Sequence, residues 1–102
     1  MPAKRPKRLP PIHPGEILQE LLHEAGLSVN ALALALRVPA NRVGAIVKGQ
    51  RGISGDTALR LARYFGTSPK LWINLQASYD LATAEDALRA KIEREVLPRS
   101  AA

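Results

Sequence analysis

The chain has no cysteine, and its 102 residues include only one tryptophan, one phenylalanine and two tyrosines. Without cysteine there is no disulfide framework and no thiolate zinc site, which fits a reducing cytoplasm. With aromatics at 4%, the core must be built from aliphatic side chains. The longest unbroken apolar run is Ala31 to Leu36, far short of the ~20 residues a membrane-spanning helix needs. The basic start is not followed by an apolar stretch, so it does not read as a secretory signal. His13 and His23 are the only histidines. With carboxylates merely scattered they form no metal constellation, and no cofactor is implied. Ser28, Ser54 and Ser68 all stand where a helix should begin, so no nucleophile–base pair supports an enzyme.

What is present is an ordinary globular balance, 46% hydrophobic and 24% charged, with a net charge of +6. That length and balance describe one globular domain with a single core. The charge is unevenly spread. Residues 1–11 hold Lys4, Arg5, Lys7 and Arg8 and no acid, and residues 27–55 hold Arg37, Arg42, Lys48 and Arg51 and no acid. Residues 12–26 carry Glu16, Glu20 and Glu24 and no lysine or arginine. One-sided basic segments point to an anionic partner, most often nucleic acid or a membrane surface.

Pro2, Pro6, Pro10 and Pro11 crowd the start. Residues 1–12 therefore read as a disordered or extended basic arm. Residues 13–82 read as a helical domain, and residues 83–102 as a C-terminal segment, helical or extended, with dimerisation as its candidate role. The first helix is expected from Pro14 to Ala25, with Ile17, Leu18, Leu21, Leu22 and Ala25 as its stripe and Gly26 as its stop. The second starts at the Ser28 cap and ends near Arg37, because Pro39 disfavours helical geometry in Val38. The third runs from Pro39 or Ala40 to Lys48 and is closed by Gly49. The fourth follows Ser54 and ends at Gly66, with Ala58, Leu59, Leu61, Ala62 and Phe65 inward. The fifth starts at Ser68 and Pro69 and carries Leu71, Trp72, Leu75, Tyr79 and Leu81. A further amphipathic helix within 82–96 would end before Pro98.

The turn Arg37-Val38-Pro39 is too short to let the second and third helices run side by side. They must cross steeply, close their apolar faces on each other, and leave the third helix protruding: a helix-turn-helix. A rod of that width fits the DNA major groove. Pro39, Ala40, Asn41, Arg42, Gly44, Ala45 and Lys48 form its outward side. Asn41 can pair with an adenine edge, Arg42 can reach guanine or phosphate, and Ala40 and Ala45 can touch a thymine methyl. Gly44 is either tolerated drift or a device for close backbone approach. Lys48, Arg51, the amides of Gly49 to Gly52, and Ser28 at the start of the second helix are placed to meet phosphates. A corner that existed only for packing would have no reason to exclude acids from 29 residues.

From His13 to Leu81 the sequence resembles the HigA antitoxins, a branch of the Xre-type helix-turn-helix proteins. The likeness lies in His13-Pro14-Gly15-Glu16-Ile17-Leu18, Arg51-Gly52-Ile53-Ser54, Asp56 to Ala62, Phe65-Gly66-Thr67-Ser68, Leu71-Trp72, Leu75-Gln76 and Tyr79-Asp80-Leu81. The resemblance implies an all-α, five-helix, Xre/lambda-repressor-like domain. It also implies a homodimer that binds promoter DNA to repress its own operon, and that neutralises a HigB-like ribonuclease toxin that cuts mRNA. Two departures stand out: Arg37 occupies a turn position where many relatives have glycine, and Gly44 and Ala45 replace bulkier polar residues. Two other readings stay open, a solitary Xre-type repressor and a protein-interaction inhibitor that does not touch DNA.

Three further features have more than one reading. Glu16, Glu20 and Glu24 stack on one helical face, as a solvated surface or as a docking stripe for a basic toxin. Trp72 and Tyr79 are seven apart, as core or as a two-fold interface. The arm is a solvated tail, a minor-groove arm or a phosphate tether.

Overall fold

The computed structural model of the chain describes residues 10–100; Lys4, Arg5, Lys7 and Arg8 of the expected arm lie outside them. Five helices follow one another: α1 (Pro14–Ala25), α2 (Val29–Leu36), α3 (Ala40–Val47), α4 (Gly55–Phe65) and α5 (Pro69–Glu95), with no strand among the described residues. The fold is all-α, as the sequence implies.

Every start but that of α3, which follows Pro39 with no side-chain cap, is set by a side chain that accepts an otherwise orphaned amide. Ser28, Ser54 and Ser68 Oγ accept from Ala31, Thr57 and Leu71. At α1 the cap is His13, whose Nδ1 accepts the Gly15 amide at 2.8 Å, while Glu16 accepts the His13 amide in return. The ends of α1 to α4 share one device. A left-handed residue (Gly26, Arg37, Gly49 and Gly66) lets the next amide reach back five residues, as Val38 does to Ala33 at 3.0 Å. Arg37 is the one non-glycine among them, with φ 62°. That conformation costs about 1 kcal/mol for a residue with a Cβ. Arg37→Gly is therefore expected to stabilise the fold by up to about 1 kcal/mol, less the extra freedom glycine gives the unfolded chain. A rise in the urea midpoint at constant m-value checks it.

The core is aliphatic except for one indole. Leu18, Leu22, Leu32, Ala33, Leu36, Val43, Ile46, Ile53, Ala58, Leu61, Ala62 and Trp72 are buried together. Four residues expected on inward stripes are exposed instead: Ala25, Leu71 at 42%, Leu59 at 62% and Leu81 at 67%. On α4 the inward stripe is Thr57, Ala58, Leu61 and Ala62, and Leu59 lies more than a third of a turn from its centre.

Trp72 is a correction to its reading as a dimer contact. Its side chain is fully buried, and its Nε1 donates to Thr67 Oγ1 at 2.9 Å. The indole belongs to this chain's own core and has no surface to offer a partner. Tyr79 is half-buried, its ring edge-on to His13 at 4.8 Å between centroids.

The segment 82–96 is not a separate helix. Nothing between Leu81 and Glu95 breaks α5, which runs on for 27 residues, roughly 40 Å. Its second half leaves the domain, and from Asp86 onward every described residue is exposed. The radius of gyration is accordingly 17.4 Å, against about 13 Å for a compact chain of this length.

Candidate nucleic-acid interface

The helix-turn-helix is present. Arg37, Val38 and Pro39 separate α2 from α3, and Val43 and Ile46 of α3 bury their side chains against the core that Leu32, Ala33 and Leu36 of α2 also enter. The start of α3 is exposed: Pro39, Ala40 and Asn41 face solvent, and so do Lys48 and Arg51 at its far end. Ser28 is exposed too, its Oγ accepting the Ala31 amide at 3.0 Å. Its hydroxyl proton remains able to donate.

The middle of α3 is less open than its periodicity implies. Arg42, Gly44 and Ala45 are half-buried. Gly44 lies beside α2, where an added Cβ would meet Val29 Cγ1 at 3.9 Å, an ordinary contact. Arg42 Nη1 stands 3.6 Å from Asp56 Oδ2. Asp56 also pairs with Arg60 Nε, and Arg60 Nη1 donates to the Leu36 carbonyl at 2.8 Å. One carboxylate thus ties α3 to α4 and, through Arg60, to the end of α2. The Arg60 hydrogen bond holds the Asp56 carboxyl below its ordinary value, and the charges of Arg60 and Arg42 add to the effect. The bridge is in place above about pH 4 and is lost as pH falls through the lowered value.

Two of the amides expected at phosphates are already engaged. The Gly49 amide donates to the Ile46 carbonyl and the Gln50 amide to the Ala45 carbonyl. The Ile53 amide donates to Gln76 Oε1 at 2.8 Å. The amides of Arg51 and Gly52, between them, are bonded to nothing among the described residues. Periodicity gives no reason to single out Gln76 or Arg60, because their partners lie 23 and 24 residues away.

The acidic face of α1 is open. Glu16, Glu20 and Glu24 are exposed, with Gln19 and His23 between them. Glu16 is committed to the His13 cap, which leaves Glu20 and Glu24 as the free carboxylates of the stripe among the described residues. No group of three or more metal-ligating side chains occurs among the described residues. No helix among them is long and apolar enough to cross a membrane.

The helix-turn-helix family profile matches residues 18–72. An addiction module antidote protein of the HigA family from Coxiella burnetii is 52% identical, with a TM-score of 0.83 over 89% of this chain and 100% of that one. The Pseudomonas aeruginosa antitoxin HigA, solved with the higBA promoter, is 55% identical, with a TM-score of 0.84 over 88% of this chain and 99% of that one. The chain belongs to the HigA antitoxins of the helix-turn-helix family. Virulence-associated protein I of Dichelobacter nodosus is 56% identical over 76% of this chain and 72% of its own length. The HigA antitoxins are helix-turn-helix regulators rather than enzymes.

Proposed function

We propose that this chain is the cytoplasmic antitoxin of a type II toxin–antitoxin pair, which represses its own operon and neutralises a HigB-like mRNA-cleaving ribonuclease. The observation that carries the reading is the promoter-bound Pseudomonas relative, whose fold this chain shares at 55% identity. In this chain the matching helix presents Pro39, Ala40, Asn41 and Lys48 outward and Arg42, Gly44 and Ala45 at its half-open middle. Ser28 and Arg51 flank it on the same acid-free stretch. Asn41 is the base reader, and Lys48, Arg51 and Ser28 are the phosphate contacts.

The working form is a homodimer, because reading a two-fold operator takes two α3 helices about 34 Å apart. Support comes from the projecting half of α5, where Leu81, Leu88 and Ile92, with Val96 at the cap, are 42–67% exposed and lie near one face that packs on no other helix among the described residues. Tyr79 lies on the opposite side of α5 from Leu81 and Leu88, with its ring against His13. For the toxin, Glu20 and Glu24 offer an acidic surface that complements a basic ribonuclease.

Co-expression with the neighbouring open reading frame tests the whole reading. The expected result is rescue of growth and a co-purified complex holding two copies of this chain. Leu88→Glu is expected to leave one copy, and Glu20→Lys to weaken rescue. Salt-dependent binding to its own upstream DNA without any toxic neighbour would instead favour a solitary repressor. Co-purification without DNA binding would favour a pure inhibitor.

A further inference from the structure

The loop between α3 and α4 is held from α5. Gln76 Oε1 accepts the Ile53 amide at 2.8 Å, and Gln76 Nε2 donates to Asp80 Oδ1 at 2.9 Å. The second bond orients the first. An ionised carboxylate only accepts, so Asp80 turns the amide nitrogen toward itself and leaves the amide oxygen facing the loop. The fit is close, since a Cβ on Gly52 would lie 3.1 Å from the Gln76 amide atoms. Three residues on, Tyr79 packs edge-on against His13, and the His13 ring lies 3.9 Å from where a Cβ on Gly49 would stand. α5 therefore grips the loop near both ends, at Gly49 through Tyr79 and His13, and at Gly52–Ile53 through Gln76. Between the grips lie Gln50 and Arg51, with Lys48 just before them.

We propose that Gln76 is a positioning residue for DNA-backbone recognition. It sets the loop so that Lys48, Arg51 and the Arg51 and Gly52 amides meet phosphates together, while Gln76 itself touches no DNA. The proposal rests on the DNA-binding reading above. The physical reason is preorganisation. Each residue the loop must order on binding is conformational freedom lost from affinity, and Gln76 removes that freedom in advance.

The test is affinity for the chain's own upstream duplex, measured by fluorescence anisotropy across a salt series. The slope of log K against log salt counts the phosphates neutralised, at about 0.9 per contact. Gln76→Ala is expected to lower affinity about tenfold or more and to make the slope shallower by about 1 to 2. A merely structural loss lowers the melting temperature but leaves the slope of the folded protein unchanged. The exchanged pair Gln76→Glu with Asp80→Asn keeps an acceptor for Ile53 and a donor between the two side chains, and is expected to restore both affinity and slope. Gly52→Ala, which displaces Gln76 from the loop without altering it, is expected to reproduce the Gln76→Ala behaviour and serves where that variant does not fold. A folded Gln76→Ala or Gly52→Ala protein with wild-type affinity and slope overturns the proposal, as does failure of the exchanged pair to recover either. Absence of salt-dependent binding by the wild-type chain overturns the DNA-binding reading itself and the proposal with it, a distinguishable result.

Discussion

Gly15→Ala is expected to be the most destabilising single-methyl change in the chain. Gly15 is buried at the start of α1, and a Cβ there would stand 1.9 Å from the Ile46 carbonyl oxygen and 2.8 Å from its carbon. The obstruction is backbone, so no side chain can swing aside. That oxygen also accepts the Gly49 amide that closes α3. Separating α1 from α3 far enough to admit a methyl therefore opens the core and loosens the end of the reading helix at once. Overpacking of this kind costs about 3 kcal/mol or more, a large share of the roughly 5–15 kcal/mol that holds a domain together. The melting temperature is expected to fall by about 12–24 °C. A calorimetric scan showing a shift of only a degree or two would mean that α1 and α3 are farther apart than described.

The second large effect is on specificity. Asn41→Ala removes an exposed side chain from the first turn of α3 and breaks no hydrogen bond within the described residues, so stability should hardly change. Loss of a bidentate adenine contact costs about 1–3 kcal/mol, or ~5- to 150-fold in affinity. The loss is expected at one base-pair position of each half-site, where the variant should stop discriminating among bases. Lys48→Ala is expected to behave differently, weakening all sequences alike and flattening the salt dependence. Affinities measured over a set of single-base operator variants separate the two patterns. A uniform loss for Asn41→Ala would make it a backbone contact rather than a reader.

Local features were legible in the sequence. The caps at Ser28, Ser54 and Ser68 and the stops at Gly26 and Gly66 each depend on residues within one helical turn, and all fall where patterning puts them. Long-range features were not. The Gln76–Ile53 bond spans 23 residues and the Arg60–Leu36 bond 24, and no periodicity encodes either. Trp72 and Leu81 both lie on α5, yet one is fully buried and the other 67% exposed. Nine residues apart on one unbroken helix, they point to opposite sides of it. Arg42 looked free because Asp56, its partner, lies on the next helix.

Promoter recognition by this chain requires the ends of α3 and the loop after it to meet DNA. Backbone amide shifts followed by NMR, during titration with the duplex immediately upstream of the gene, test this directly. The expected result is that the largest changes fall at Ser28–Asn30, Ala40–Ala45 and Lys48–Ile53, and that they vanish at high salt. Changes confined to the acidic face of α1 or to residues 81–96, or insensitive to salt, would contradict it.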